Sequence, residues 1–210
     1  MMKQILWSGL LLLSFLACQQ GEGTQSGGEK ASLAPSLDSL FQEITVVKMH
    51  LFTPDSTAVP ADYPYTGSTL DSTHYVYLRD DLRRRVEEQS AEVYACQKVQ
   101  GDLYVLRLPG EIAPHELVLC RYDAMEDKLM PIRVLAFNWC MEGECQRQDA
   151  WLDDLDLDRQ LEVIVRGRQM NAEGLILNEI FEVYTQDEES NWIRGKEELA
   201  NKTSYVLTAL

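Results

Sequence analysis

Residues 161–186 read LEVIVRGRQMNAEGLILNEIFEVYTQ, and this stretch decides the fold. Two β-branched, apolar-rich runs with a period of two flank Asn171-Ala172-Glu173-Gly174, a cluster of turn formers. That combination predicts an antiparallel hairpin. The same pattern recurs upstream. HELVLCRY (115–122) and KLMPIRVLAF (128–137) flank DAMED, and AEVYACQKV (91–99) and DLYVLRL (102–108) meet at Gln100-Gly101-Asp102. NWIRG (191–195) and TSYVLTAL (203–210) are expected to add edge strands. Ahead of the hairpins the period changes. In YLRDDLRRRVEEQ (77–89), Leu78, Leu82 and Val86 recur every fourth residue, with Asp80 and Asp81 near the start and Arg83 to Arg85 following. This spacing predicts one amphipathic helix. Three hairpins after a single helix imply a mainly β domain of antiparallel sheets, sandwich-like or propeller-blade-like, with α+β as the alternative.

The expected organisation has four parts: a leader over 1–17, a flexible tether over 18–36, an irregular segment over 37–75 and a β-rich domain over 76–210. The tether is rich in Gly, Gln and Ser and lacks aromatic residues, so it has little to bury. Pro54, Pro60 and Pro64 interrupt regular structure in the irregular segment. The leader, MMKQILWSGLLLLSFLAC, has Lys3 and then an apolar run from Ile5 to Ala17, too short to span a bilayer but long enough for a secretory signal. Its end, SFLAC, resembles the lipobox of bacterial lipoproteins, with Ala17 fitting the position before the cysteine and Phe15 and Leu16 departing from the usual residues. The resemblance implies lipidation of Cys18, cleavage before it, and attachment to a membrane through the lipid. Gln19 in place of the aspartate that favours inner-membrane retention implies an outer-membrane destination in a Gram-negative envelope.

The 210 residues carry 34 acidic and 19 basic side chains, a formal net charge of -15. Such a surface repels nucleic acid and attracts cations or basic partners. Five cysteines are present, and with Cys18 carrying lipid an even number remains for an oxidising compartment. Cys140 and Cys145 flank Glu142-Gly143-Glu144, a hairpin-sized loop that brings two Cβ atoms into bridging range. Cys96 and Cys120 lie in separate expected strands and can bridge if those strands are neighbours. Free buried thiols are the other reading.

DDLDLDRQLEVIVRG (153–167) places Asp154, Asp156, Asp158 and Glu162 at relative positions 1, 3, 5 and 9. In a tight loop these side chains converge, and a hard divalent cation with 6–8 oxygen ligands is what cancels their repulsion. A backbone carbonyl near Gln160 supplies a further ligand. The stretch resembles the DxDxDGxxD/E calcium loops of EF-hands, dockerins and FG-GAP or integrin-type repeats, the last most closely because a strand follows. That resemblance implies a structural Ca²⁺ ion. The family's glycines at the fourth and sixth positions are here Leu157 and Arg159, and Val165 stands where an EF-hand has its twelfth-position acid. A calcium loop and a solvated acidic turn both remain open.

Sequence patterns for catalysis are absent: there is no G-x-S-x-G, H-E-x-x-H, P-loop or Rossmann glycine pattern. His50, His74 and His115 are isolated, and Trp139, Trp151 and Trp192 suit either a strand core or a sugar-binding face. The expected function is a non-enzymatic, envelope-anchored binding or structural module with a calcium-stabilised loop and a protein or glycan partner. The alternative is a secreted glycan hydrolase working through Asp and Glu pairs.

Overall fold

The computed structural model describes residues 34–44, 48–54 and 59–207. The leader, Cys18 and most of the tether lie outside the described residues. Short elements come first: helix α1 (Pro35–Asp38) and strands β1 (Gln42–Glu43), β2 (Lys48–Leu51) and β3 (Ser68–Thr69). Helix α2 (Asp80–Gln89) follows, and then a long meander. Its strands are β4 (Tyr94–Gln100), β5 (Leu103–Leu108), β6 (Glu116–Asp123), β7 (Lys128–Met141), β8 (Glu144–Asp153), β9 (Glu162–Met170), β10 (Ile176–Gln186) and β11 (Trp192–Arg194). From β4 to β11 each strand pairs antiparallel with the next, so the protein is mainly β as the alternation predicts. The single parallel pair among the described strands joins β1 to β4.

Alternate residues serve different cores, which is why β5 is buried along its whole length. Leu103 and Val105 join a central core with Leu117 and Leu119 of β6, Ala150 and Leu152 of β8, and Val163 and Val165 of β9. One side of β4–β6 therefore faces one side of β8–β9 across shared side chains, a sandwich-like arrangement made from one continuous sheet. On the outer side of β4–β6, Tyr104, Leu106, Val118 and Cys120 pack under α1 and α2 through Leu37, Leu82 and Val86. On the outer side of β8–β10, Trp151, Ile164, Phe181 and Val183 are covered by Ala200, Tyr205 and Leu207 of the C-terminal tail.

The longest strand makes the turn between the two halves. Residues 128–137 of β7 pair with β6, while residues 137–141 pair with β8. Where β7 leaves β8, Gln148 Nε2 donates to the Val134 carbonyl at 2.8 Å and the Leu135 carbonyl at 3.2 Å, covering the bared edge. β2 takes the vacated place beside β8. The segment expected to be irregular thus supplies a sheet strand, and its Leu51, Tyr63 and Tyr65 are buried in the central core. Helix α1 begins at Pro35, inside the stretch assigned to the tether.

Two expectations are corrected. Cys96 and Cys120 do not bridge: β5 lies between their strands, and Cys96 points into the central core while Cys120 points into the outer one. The described part of TSYVLTAL is not a strand. Its first residues form a 3-10 turn (Lys202–Ser204), and Tyr205 and Leu207 alternate to cover a core without pairing to a neighbour.

Candidate metal centre

The acidic loop joins β8 to β9 and is rooted at both ends in the double-sided part of the sheet. Asp153, the last residue of β8, turns away from the loop, bonding Lys48 at 2.9 Å and the Tyr205 hydroxyl at 2.8 Å. Asp154, one residue on, turns towards it. One ligand oxygen each from Asp154, Asp156 and Glu162 lies within 4.8 Å of the others, so this acidic group can hold a metal ion. Two such charges that close repel by about 1 kcal/mol in water and about 3 kcal/mol at the effective dielectric of a protein surface.

The backbone explains how the side chains converge. Leu157 and Arg159 both have positive φ, 65° and 72°. These are the positions where the resembled calcium loops carry glycine, and the chain adopts the left-handed conformation there without it. The Asp158 N–H donates to Asp156 Oδ1 at 3.2 Å, the Arg159 N–H to Asp154 Oδ2 at 3.1 Å, and the Gln160 N–H to Asp158 Oδ1 at 2.7 Å. Gln100 Nε2 reaches from the β4–β5 turn to the Arg159 carbonyl at 2.8 Å, fixing the far side of the loop.

Glu162 is the buried member, only 4% exposed. Burial raises its carboxyl above the usual range, the 2.7 Å bond from the Leu155 N–H to Oε2 opposes this, and the nearby Asp156, Asp158 and Asp154 raise it further. Oδ1 of Asp154 is shielded from solvent and accepts no hydrogen bond. An orphaned carboxylate oxygen inside an all-oxygen donor set fits a hard cation. Asp158, expected as a ligand, lies outside this group of three; its carboxylate accepts from Gln160 through both the backbone N–H and, at 3.3 Å, Nε2.

A groove of about 470 Å³ opens beside the loop. Asp156, Asp158, Gln160 and Glu162 form one wall, Thr185 and Gln186 lie at the end of β10, and the stretch from Ile193 to Leu199 forms the other wall.

The Cys140–Cys145 disulfide is present, with Cα atoms 4.0 Å apart on directly paired positions of β7 and β8. The turn has Glu142 at φ 53° and Gly143 at φ 86°, the two left-handed residues that a two-residue hairpin with matching twist requires. Cys96 and Cys120 are free, and burial pushes both thiols up to about 12. Trp151 is core, stacked on His50 with ring centroids 4.4 Å apart, and Trp192 packs against the central core. Trp139 is half-buried near the disulfide hairpin.

One polar cluster had no signature in the sequence. Asp149 of β8 is fully buried, and its carboxylate meets His50 Nε2 at 2.9 Å and Arg147 Nε at 3.1 Å. His50 and Asp149 lie 99 residues apart, so no local pattern joins them. The second wall of the groove is likewise invisible in sequence, because β11 meets the acidic loop only through the fold. Comparisons with protein-family models, with curated proteins and with solved structures give no match.

Proposed function

We propose that this chain is a lipid-anchored, non-enzymatic binding module of the bacterial cell envelope whose acidic loop holds a calcium ion. The observation that carries the metal assignment is the convergence of Asp154, Asp156 and Glu162 within 4.8 Å, with Leu157 and Arg159 in glycine-type conformations. The left-handed conformation costs a non-glycine residue roughly 1–2 kcal/mol, and like charges are crowded as well. A divalent cation offsets both. Three carboxylates leave part of a 6–8-fold oxygen shell for backbone carbonyls, water or a ligand.

Lipid anchoring rests on SFLAC at Cys18 and on the tether behind it. Labelling with an alkynyl fatty acid in a Gram-negative host tests it: label on the wild type and none on Cys18→Ser supports the anchor, and equal labelling of the two refutes it. The calcium assignment is tested by thermal unfolding of the chain with EDTA and with millimolar CaCl₂. An ion that binds only the native state raises the midpoint. An unchanged midpoint refutes the assignment.

A further inference from the structure

We infer that one face of the sheet, where β7 to β10 run from the central core towards the hairpin tips, is a platform for a neutral glycan chain. This names the ligand class of the binding module proposed above and does not depend on the calcium loop. Strand register builds the platform. Trp139, Gln146, Gln169 and Asn178 are successive cross-strand partners from β7 to β10, so their side chains form one row on one face. Phe137, Gln148, Gly167 and Ile180 form the next row in the same way. With strands ~4.8 Å apart and alternate residues ~6.8 Å apart, the two rows cover about 14 Å by about 7 Å.

The rows carry no ionisable side chain, in a chain of which 25% of residues are charged. Arg147 and Arg168, neighbours of these residues in sequence, turn to the opposite face, where they meet Asp149 at 3.1 Å and Glu179 at 2.7 Å. At the margins, Glu182 is paired with Arg194 at 3.3 Å, and Glu144 accepts from Gln169 Nε2 at 3.4 Å. An anionic ligand therefore finds no countercharge on the platform, and a cationic one finds Glu144 at the rim alone. Covering a charge without a partner is costly, so the platform suits a neutral ligand.

Hydrogen bonding and shape select among neutral ligands. Gln146 and Asn178 are exposed, and each carboxamide offers donor and acceptor side by side, which vicinal hydroxyl groups match. An apolar ligand would cover these amides without satisfying them. An extended peptide draws its hydrogen bonds from a strand edge, and at these rows β8 and β9 have neighbours on both sides. Half-buried Trp139 offers part of a flat apolar ring to the C–H face of a sugar. Gly167 keeps the middle of the platform low, because a Cβ there would meet Ile180 Cγ1 at 3.0 Å. The dip between the rows holds about 120 Å³, less than the ~300–1,000 Å³ of an enclosed small-molecule site, and fits a chain lying across the strands.

The test is calorimetric titration of the chain with cellohexaose, xylohexaose and maltohexaose, with polygalacturonate as the anionic probe, in calcium and in EDTA. At least one neutral hexasaccharide is expected to bind with a Kd of about 1 mM or tighter, equally in both buffers. Trp139→Ala weakens that binding at least tenfold. Gln146→Ala combined with Asn178→Ala, at two exposed positions, weakens it at least fivefold and leaves the unfolding midpoint unchanged, which separates lost contacts from a lost fold. No binding of any neutral probe, binding of polygalacturonate alone, binding lost in EDTA, or binding unchanged in both variants overturns the inference. So does a concentration-dependent dimer in sedimentation that Gln146→Ala with Asn178→Ala abolishes, since a second copy would then cover this face. Each of these outcomes leaves the calcium and lipid-anchor readings standing.

Discussion

Two connections along β8 solve the same problem by different means. At its start, β7 turns into β8 through Glu142 and Gly143; at its end, β8 leads to β9 through the acidic loop. Each connection holds two residues at positive φ, 53° and 86° in the first and 65° and 72° in the second. The first places a glycine at one of those positions and closes the hairpin with a covalent bond between Cys140 and Cys145. The second has neither a glycine nor a covalent link, and it points three carboxylates at one another. A permanent bond holds the first shape under all non-reducing conditions. On the proposed calcium reading, the second reaches its lowest free energy only when a cation is present, and its stability then reports on its surroundings.

The largest effect expected from this contrast is on calcium stabilisation. Extracellular calcium sites work at Kd values of ~10⁻⁴–10⁻³ M, so calcium at about 100 Kd stabilises the wild type by about 2.7 kcal/mol. Asp154→Asn combined with Glu162→Gln should lose essentially all of this, read as coincident denaturation curves with and without calcium. Cys140→Ser combined with Cys145→Ser comes next. A disulfide closing so short a loop contributes about 2 kcal/mol on the chain-entropy account, and calcium should restore none of that loss. If calcium did compensate, the two connections would be coupled through β8 and the contrast would fail.

Leu157→Gly has the smallest effect and the opposite sign. Leu157 is 81% exposed, so little packing is lost, while roughly 1–2 kcal/mol of backbone strain is relieved. The greater freedom of glycine in the unfolded chain cancels part of that gain. A net rise of about 0.5–1 kcal/mol in calcium-free stability is expected. A loss would mean that Leu157 contributes contacts beyond its backbone conformation.

How much of this was legible in the sequence depends on the range of the interaction. The hairpins at 94–108, 116–137 and 162–186 follow from alternation and turn residues, which act over a few positions. Helix α2 follows from Leu82 and Val86, and the Cys140–Cys145 pairing from its spacing. The acidic loop was legible as a motif, and its backbone angles at Leu157 and Arg159 follow that motif despite the missing glycines. Three features were not legible. The transfer of β7 from β6 to β8 depends on the two halves facing each other across the central core. The docking of β2 on β8 pairs His50 with Trp151, a partner about a hundred residues away. The opposite facing of Cys96 and Cys120 depends on the register of three paired strands, which no local pattern announces. The tail residues Tyr205 and Leu207 imitate a strand because covering a core also uses alternation.

The most direct test of the central claim is isothermal titration of Ca²⁺ into the EDTA-stripped, dialysed chain, beside Glu162→Gln. The account predicts one ion bound per wild-type chain and none, or binding at least tenfold weaker, in the variant. No measurable binding to the wild type, or equal binding to both, would contradict it and leave the crowded carboxylates of this loop as a solvated turn.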